Sequence, residues 1–202
     1  MARIKLVAAR DAGLSVKIAY FFARRALAKL AGRETERMLE PLQLFAHSSG
    51  LLVGYGRLEQ TAAKLHRVDR RLSDLAELKA ATMTSCEYCI DLGSQIARHR
   101  SGLTDAELLA LPRYAGSDLF TDVEKLVLDY ATGMSRTPVD VPDALFARLR
   151  DHFDDAQLVE LTFVIALENL RGRFNLALGI GSAGFSEGMV CAIPDHPGAR
   201  DN

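Results

Sequence analysis

The stretch Thr84-Ser85-Cys86-Glu87-Tyr88-Cys89-Ile90-Asp91 sets two cysteines three residues apart. Thr84-x-x-Glu87 reads as a capping box, so a helix starts here and both thiols share one of its faces. Cys86 then falls in the first turn, where unpaired backbone N–H groups favour thiolate over thiol. The thiolate is the form that attacks a peroxide oxygen or a disulfide sulfur. A second thiol condenses with the resulting sulfenic acid, and an external dithiol reopens the disulfide by exchange. The pattern therefore predicts a redox-active pair at Cys86 and Cys89. Two buried thiols without chemistry are one alternative. Half of a zinc site is another, but Cys191 stands alone and no nearby histidine pair has ligand spacing.

Outward from this motif the chain reads as all-α. Ala, Leu, Arg, Glu and Lys dominate, Trp is absent, and no run of alternating β-branched residues stands out. Helices are expected at about 10–31, 34–46, 48–67, 69–83, 86–100, 104–111, 121–136, 142–153 and 155–178. Leu58, Leu65 and Leu72 recur every seven residues, which fits one long helix or two shorter ones broken near Asp69. Gly102 fits a left-handed cap after the cysteine helix, and Thr104-x-x-Glu107 opens another. Pro142 fits the first turn of a later helix. Glu168, Arg171 and Arg173 interrupt a strongly apolar segment, so salt bridges are expected there, in the core or between subunits.

The balance of 202 residues, 49% hydrophobic and 25% charged, with a formal net charge of −1, is that of an ordinary globular protein. It gives no basic surplus to attract nucleic acid, and no segment is apolar enough to span a membrane. A reducing cytoplasm suits three cysteines of which two form a CxxC. The basic and apolar first thirty residues read as an amphipathic helix of the folded protein rather than a leader. Gly179-Ile-Gly181-Ser-Ala-Gly184 matches a dinucleotide fingerprint by letter. Helix precedes it instead of strand, so it reads as a helix stop followed by a tail.

A thiol peroxidase also needs a proton carrier. Asp74 and Glu77 precede Cys86 on the helix expected to pack beside the cysteines. The segment from Asp74 through Cys86-Glu-Tyr-Cys89 to Ser94 resembles the carboxymuconolactone decarboxylase superfamily, and within it the alkylhydroperoxidase D-like proteins. Phe120 to Tyr130, and Leu158 to Phe174, resemble the family's later helices.

The resemblance implies an alkylhydroperoxidase D-like helical bundle over 69–180, an N-terminal helical extension over 1–68 and a Gly/Pro-containing tail over 181–202. It implies a homo-oligomer, a trimer or hexamer. It also implies a peroxiredoxin-type oxidoreductase that needs no bound cofactor, only a dithiol reductant, and acts on small hydroperoxides or disulfides. Carried onto this chain, Cys89 attacks, Cys86 resolves and Asp74 stands where the family has a glutamate. The family's relay histidine falls on Gly93, which carries no proton. Two alternatives follow: a lactone decarboxylase of the same superfamily, and a non-catalytic helical scaffold that has lost the relay.

Overall fold

The computed structural model describes residues 2–195. The end of the tail, with Pro197, lies outside the described residues. Nine α-helices and no strand occur among them: α1 (Leu14–Ala31), α2 (Glu40–Phe45), α3 (Ser49–Ala62), α4 (Arg70–Thr84), α5 (Glu87–Ser101), α6 (Asp105–Ala110), α7 (Asp122–Ser135), α8 (Asp143–Arg150) and α9 (Asp155–Ala177). The protein is all-α, as its periodicity indicates.

Helix α4 is the hub, packing against α5, α7 and α9. Its small residues Ala76, Ala80 and Ala81 are buried and let neighbours approach, while Leu75 and Leu78 fill the space between. Each such leucine contributes about 1.5–3 kcal/mol by leaving water. One apolar cluster joins α1, α2 and α5 to the tail, with Met38, Leu78, Cys86 and Phe185 among its members. A second joins α4 to α7, α8 and α9 through Ala80, Val127, Leu161 and Ile165.

Several expected boundaries move for local reasons. The helix expected over 34–46 is helical only from Glu40, with Pro41 in its first turn, where a missing N–H costs nothing. The heptad breaks, with Leu58 in α3, Leu65 in the connection and Leu72 in α4, since α3 ends at Ala62 and Asp69 caps α4 by accepting from the Arg71 N–H. Thr84 does not cap the cysteine helix. It is the last residue of α4, its hydroxyl donating to the carbonyls of Ala80 and Ala81. Ser85 turns the chain at φ 55°. Pro142 is an N-cap rather than a first-turn residue.

The segment after α9 is packed. Asp91 on α5 accepts from the backbone N–H groups of Ala183, Gly184, Phe185 and Ser186 at 2.6–3.0 Å, and from the Ser182 hydroxyl at 2.8 Å. The glycine-rich stretch is thus a nest of N–H donors around a carboxylate of the same chain. Further on, Asp195 pairs at 2.5 Å with Lys79, whose side chain is almost wholly buried and lies over the Tyr114 ring.

Candidate functional site

Because α4 ends at Thr84, Cys86 becomes the N-cap of α5 and Cys89 its third residue. The Cys86 sulfur accepts the Cys89 backbone N–H at 3.3 Å, the place a serine or aspartate oxygen takes at most helix starts. The two sulfurs are joined as a disulfide. Cys86 is fully buried and Cys89 is 6% exposed, so Cys89 is the more reachable of the two.

A third residue completes this end of the bundle. Asn175 on α9, 3% exposed, aims its amide nitrogen at both sulfurs, 3.8 Å from Cys86 and 3.6 Å from Cys89. The amide is an N–H donor directed at the atoms that carry charge in the reduced state. Its oxygen has no hydrogen-bond partner among the described residues. Helix α9 comes close here because Gly172 has no side chain: a Cβ there would lie 2.6 Å from the Thr84 hydroxyl.

Asp74 is not brought to the sulfurs. Helices α4 and α5 run antiparallel, so Asp74 lies at the opposite end of α5, paired with Arg100 and accepting from the Ser101 hydroxyl. Cys89 and Arg100 are eleven residues apart on one helix, about 16 Å along its axis. The family's histidine position is tight, because a Cβ at Gly93 would meet a Leu78 methyl at 3.2 Å, and that side chain would have to give by a few tenths of an ångström. His99 lies at that far end as well, its ring against Gly32.

Three further carboxylates surround Arg171. This residue shares one face of α9 with Asn175, one turn away, about 6 Å along the axis. Its guanidinium bonds Glu59 of α3 at 2.7 and 2.9 Å, Glu77 of α4 at 2.9 Å and Glu168 of α9 at 2.9 Å. The salt bridges expected for Glu168 and Arg171 are thus one four-residue cluster, whereas Arg173 is exposed and donates to the Thr137 hydroxyl at 2.9 Å. Phe45, stacked on both Tyr55 and Phe174, lies beside it.

The charges do not balance, and the carboxylates respond differently. Burial pushes the Glu168 carboxyl up to about 7, Arg171 holding it down only in part and Glu77 adding repulsion. Burial raises Glu77 as well. For Glu59, burial is outweighed by Arg171 and the Tyr55 hydroxyl, and its carboxyl is lowered. Burial works against the charge of Arg171, but the three carboxylates hold it well above its ordinary value. The Glu168 Oε2 atom accepts from Arg171, whereas its Oε1 atom is buried without a partner among the described residues.

Sequence reasoning reached Glu77, Glu168 and Arg171 as candidates but missed Asn175. Its signal was a lone amide in the apolar run Phe174-Asn175-Leu176-Ala177, four residues after Arg171. No cluster of three or more His, Cys, Asp or Glu suited to a metal ion occurs among the described residues. No helix among them is long and apolar enough to cross a membrane.

Comparison with known proteins places the family and the fold. Residues 54–133 match the model of the carboxymuconolactone decarboxylase family. The chain is 41% identical over 140 residues to the uncharacterized protein YnjA of Escherichia coli K12, a match covering 69% of this chain and 72% of YnjA. An alkylhydroperoxidase AhpD core structure, an uncharacterized peroxidase-related protein from Ralstonia eutropha JMP134, superposes with a TM-score of 0.72 at 16% identity. That superposition covers 91% of this chain and 94% of the other. The debrominase Bmp8 superposes with a TM-score of 0.72 at 17% identity, covering 85% and 88%.

Proposed function

The chain belongs to the carboxymuconolactone decarboxylase family and has the alkylhydroperoxidase D-like fold, and from that premise we propose that it is a thiol-dependent oxidoreductase reducing small hydroperoxides through Cys86 and Cys89. The observation that carries this reading is the bonded sulfur pair at the start of α5, with the Asn175 amide directed at both atoms.

Cys89, the more exposed thiol, attacks as thiolate. The sulfur–oxygen bond forms, the peroxide O–O bond breaks, and the alcohol leaves once its alkoxide takes a proton. Cys86 then displaces water from the sulfenic acid and closes the disulfide. An external dithiol protein returns both thiols by exchange. No bound cofactor enters this cycle. A cytoplasmic homo-oligomer, trimeric or hexameric, is the setting proposed with it, and a small disulfide is the second substrate class.

The test is peroxide consumption with a dithiol reductant. Wild type turns over. Cys89→Ser loses turnover, and Cys86→Ser stops at the sulfenic acid. Turnover unchanged by either substitution overturns this reading. Activity on carboxymuconolactone that survives both would assign the chain to lactone decarboxylation instead.

A further inference from the structure

We propose that Glu168, held by Arg171 on the face of α9 that also carries Asn175, is the proton store of the thiol site and does the work for which this chain has no histidine. The proposal rests on the thiol-peroxidase reading above.

Three observations carry it. Glu168, Arg171 and Asn175 follow one another at helical spacings of three and four, so they line one face of α9. That face meets the C-terminal end of α4 at Gly172 and the sulfurs at Asn175. Second, Glu168 is 6% exposed and Oε1 is its free atom, because Oε2 is occupied by Arg171. A proton on this carboxyl therefore sits on Oε1, where no protein acceptor already claims it. Third, one guanidinium faces three carboxylates, of which Glu168 is buried and Glu59 and Glu77 are partly exposed, so full ionisation leaves excess negative charge that burial penalises most at Glu168. The group favoured to take the proton is Glu168, pushed up to about 7. The groups facing the cluster are Tyr55 and Glu59 from α3, Glu77 from α4, Tyr88 from α5 and Arg171 from α9, with Arg100 sensing Arg171.

The cycle closes in protons. Attack by the Cys89 thiolate releases an alkoxide, which takes the Glu168 proton and leaves as alcohol. The Cys86 thiol proton joins the hydroxide displaced from the sulfenic acid, giving water. Exchange with the external dithiol returns two thiols. Cys89 then passes its proton to the ionised Glu168, restoring thiolate and acid together. From Glu168 to Asn175 the axial distance is about 10 Å, so the proposed transfer uses hydroxyl groups of substrate and of water admitted at the partly exposed Glu59 and Glu77 rather than direct contact. Glu168 is accordingly a proton-holding residue that acts through these groups.

The experiment follows loss of free thiols after one addition of peroxide to the reduced protein, from pH 5.5 to 9. Wild type should show a descending limb near pH 7, where the store empties. Glu168→Gln should lose that limb and slow by about 10²-fold below pH 7, while Glu168→Asp should keep a displaced limb. In parallel, the infrared carbonyl band of a buried protonated carboxyl should titrate near pH 7 in wild type and in Cys89→Ser, and be missing from Glu168→Gln. A wild type inert to peroxide overturns the peroxidase reading and this proposal with it. An active wild type whose rate profile is unchanged in Glu168→Gln overturns this proposal alone.

Discussion

Two arginines organise buried carboxylates in this fold, and they do so to different ends. Arg71 of α4 joins Glu107 and Glu124, the third residues of α6 and α7. Each of those carboxylates also accepts the backbone N–H and hydroxyl of its own capping threonine, Thr104 or Thr121. Burial acts to raise Glu107, but the cap and Arg71 prevail and its carboxyl is lowered. Arg171 instead gathers three carboxylates, and one of them keeps a bare oxygen and a raised carboxyl. The first cluster ties two helix starts to α4. The second sets a raised carboxyl on the face of α9 that meets the sulfurs one level further on, at Asn175. Local donors make the difference: a carboxylate that caps its own helix is already satisfied, whereas one in mid-helix has only the shared guanidinium.

The comparison breaks most readily at its cations. Arg171→Met leaves the buried Glu168 and the partly exposed Glu59 and Glu77 without a counter-charge and should cost about 3 kcal/mol at pH 8. The loss should shrink toward pH 5 as the carboxyls protonate, which urea denaturation at both pH values will read. The native protein carries the same signature. Because the folded Glu168 carboxyl lies above its unfolded value, its contribution is full below about pH 4.5 and fades as pH rises through about 7. Wild type should therefore lose up to about 3 kcal/mol between pH 5 and 8, and Glu168→Gln should lose less, keeping only the share of the raised Glu77 carboxyl.

Arg71→Met should cost less, about 1–3 kcal/mol, since the capping threonines remain. The lowered carboxyl of Glu107 stays ionised from pH 5 to 8, so that cost should be flat over the same range. The mildest test displaces α9 rather than a charge. Gly172→Ala drives a methyl into Thr84 and should cost about 1–2 kcal/mol, with a slower thiol reaction as Asn175 shifts.

Much of this was legible in the sequence. The helical class, the left-handed cap at Gly102, the capping box at Thr104 and the break at Asp69 are local signals, and local physics decided them. The pairing of Glu168 with Arg171 was legible because charge in an apolar helix demands a partner. The start of α5 was misjudged because Ser85 takes a left-handed conformation, which moves the cap from Thr84 to Cys86. The distance between Asp74 and the sulfurs was not legible either. Spacing along a chain does not say which carboxylate of a helix meets which level of its antiparallel neighbour. Asn175 meets the cysteines across more than eighty residues of chain, a contact set by tertiary packing alone.

The nest around Asp91 carries a consequence for how its glycine-rich segment behaves as a receptor. Its ligand is tethered by the chain and never diffuses away, which amounts to an effective concentration of about millimolar or more. A free phosphate or nucleotide would have to outcompete a carboxylate already holding four backbone donors. The loop is a saturated host: the chemistry that lets similar loops capture anions from solution is spent on clasping the chain to its own thiol helix.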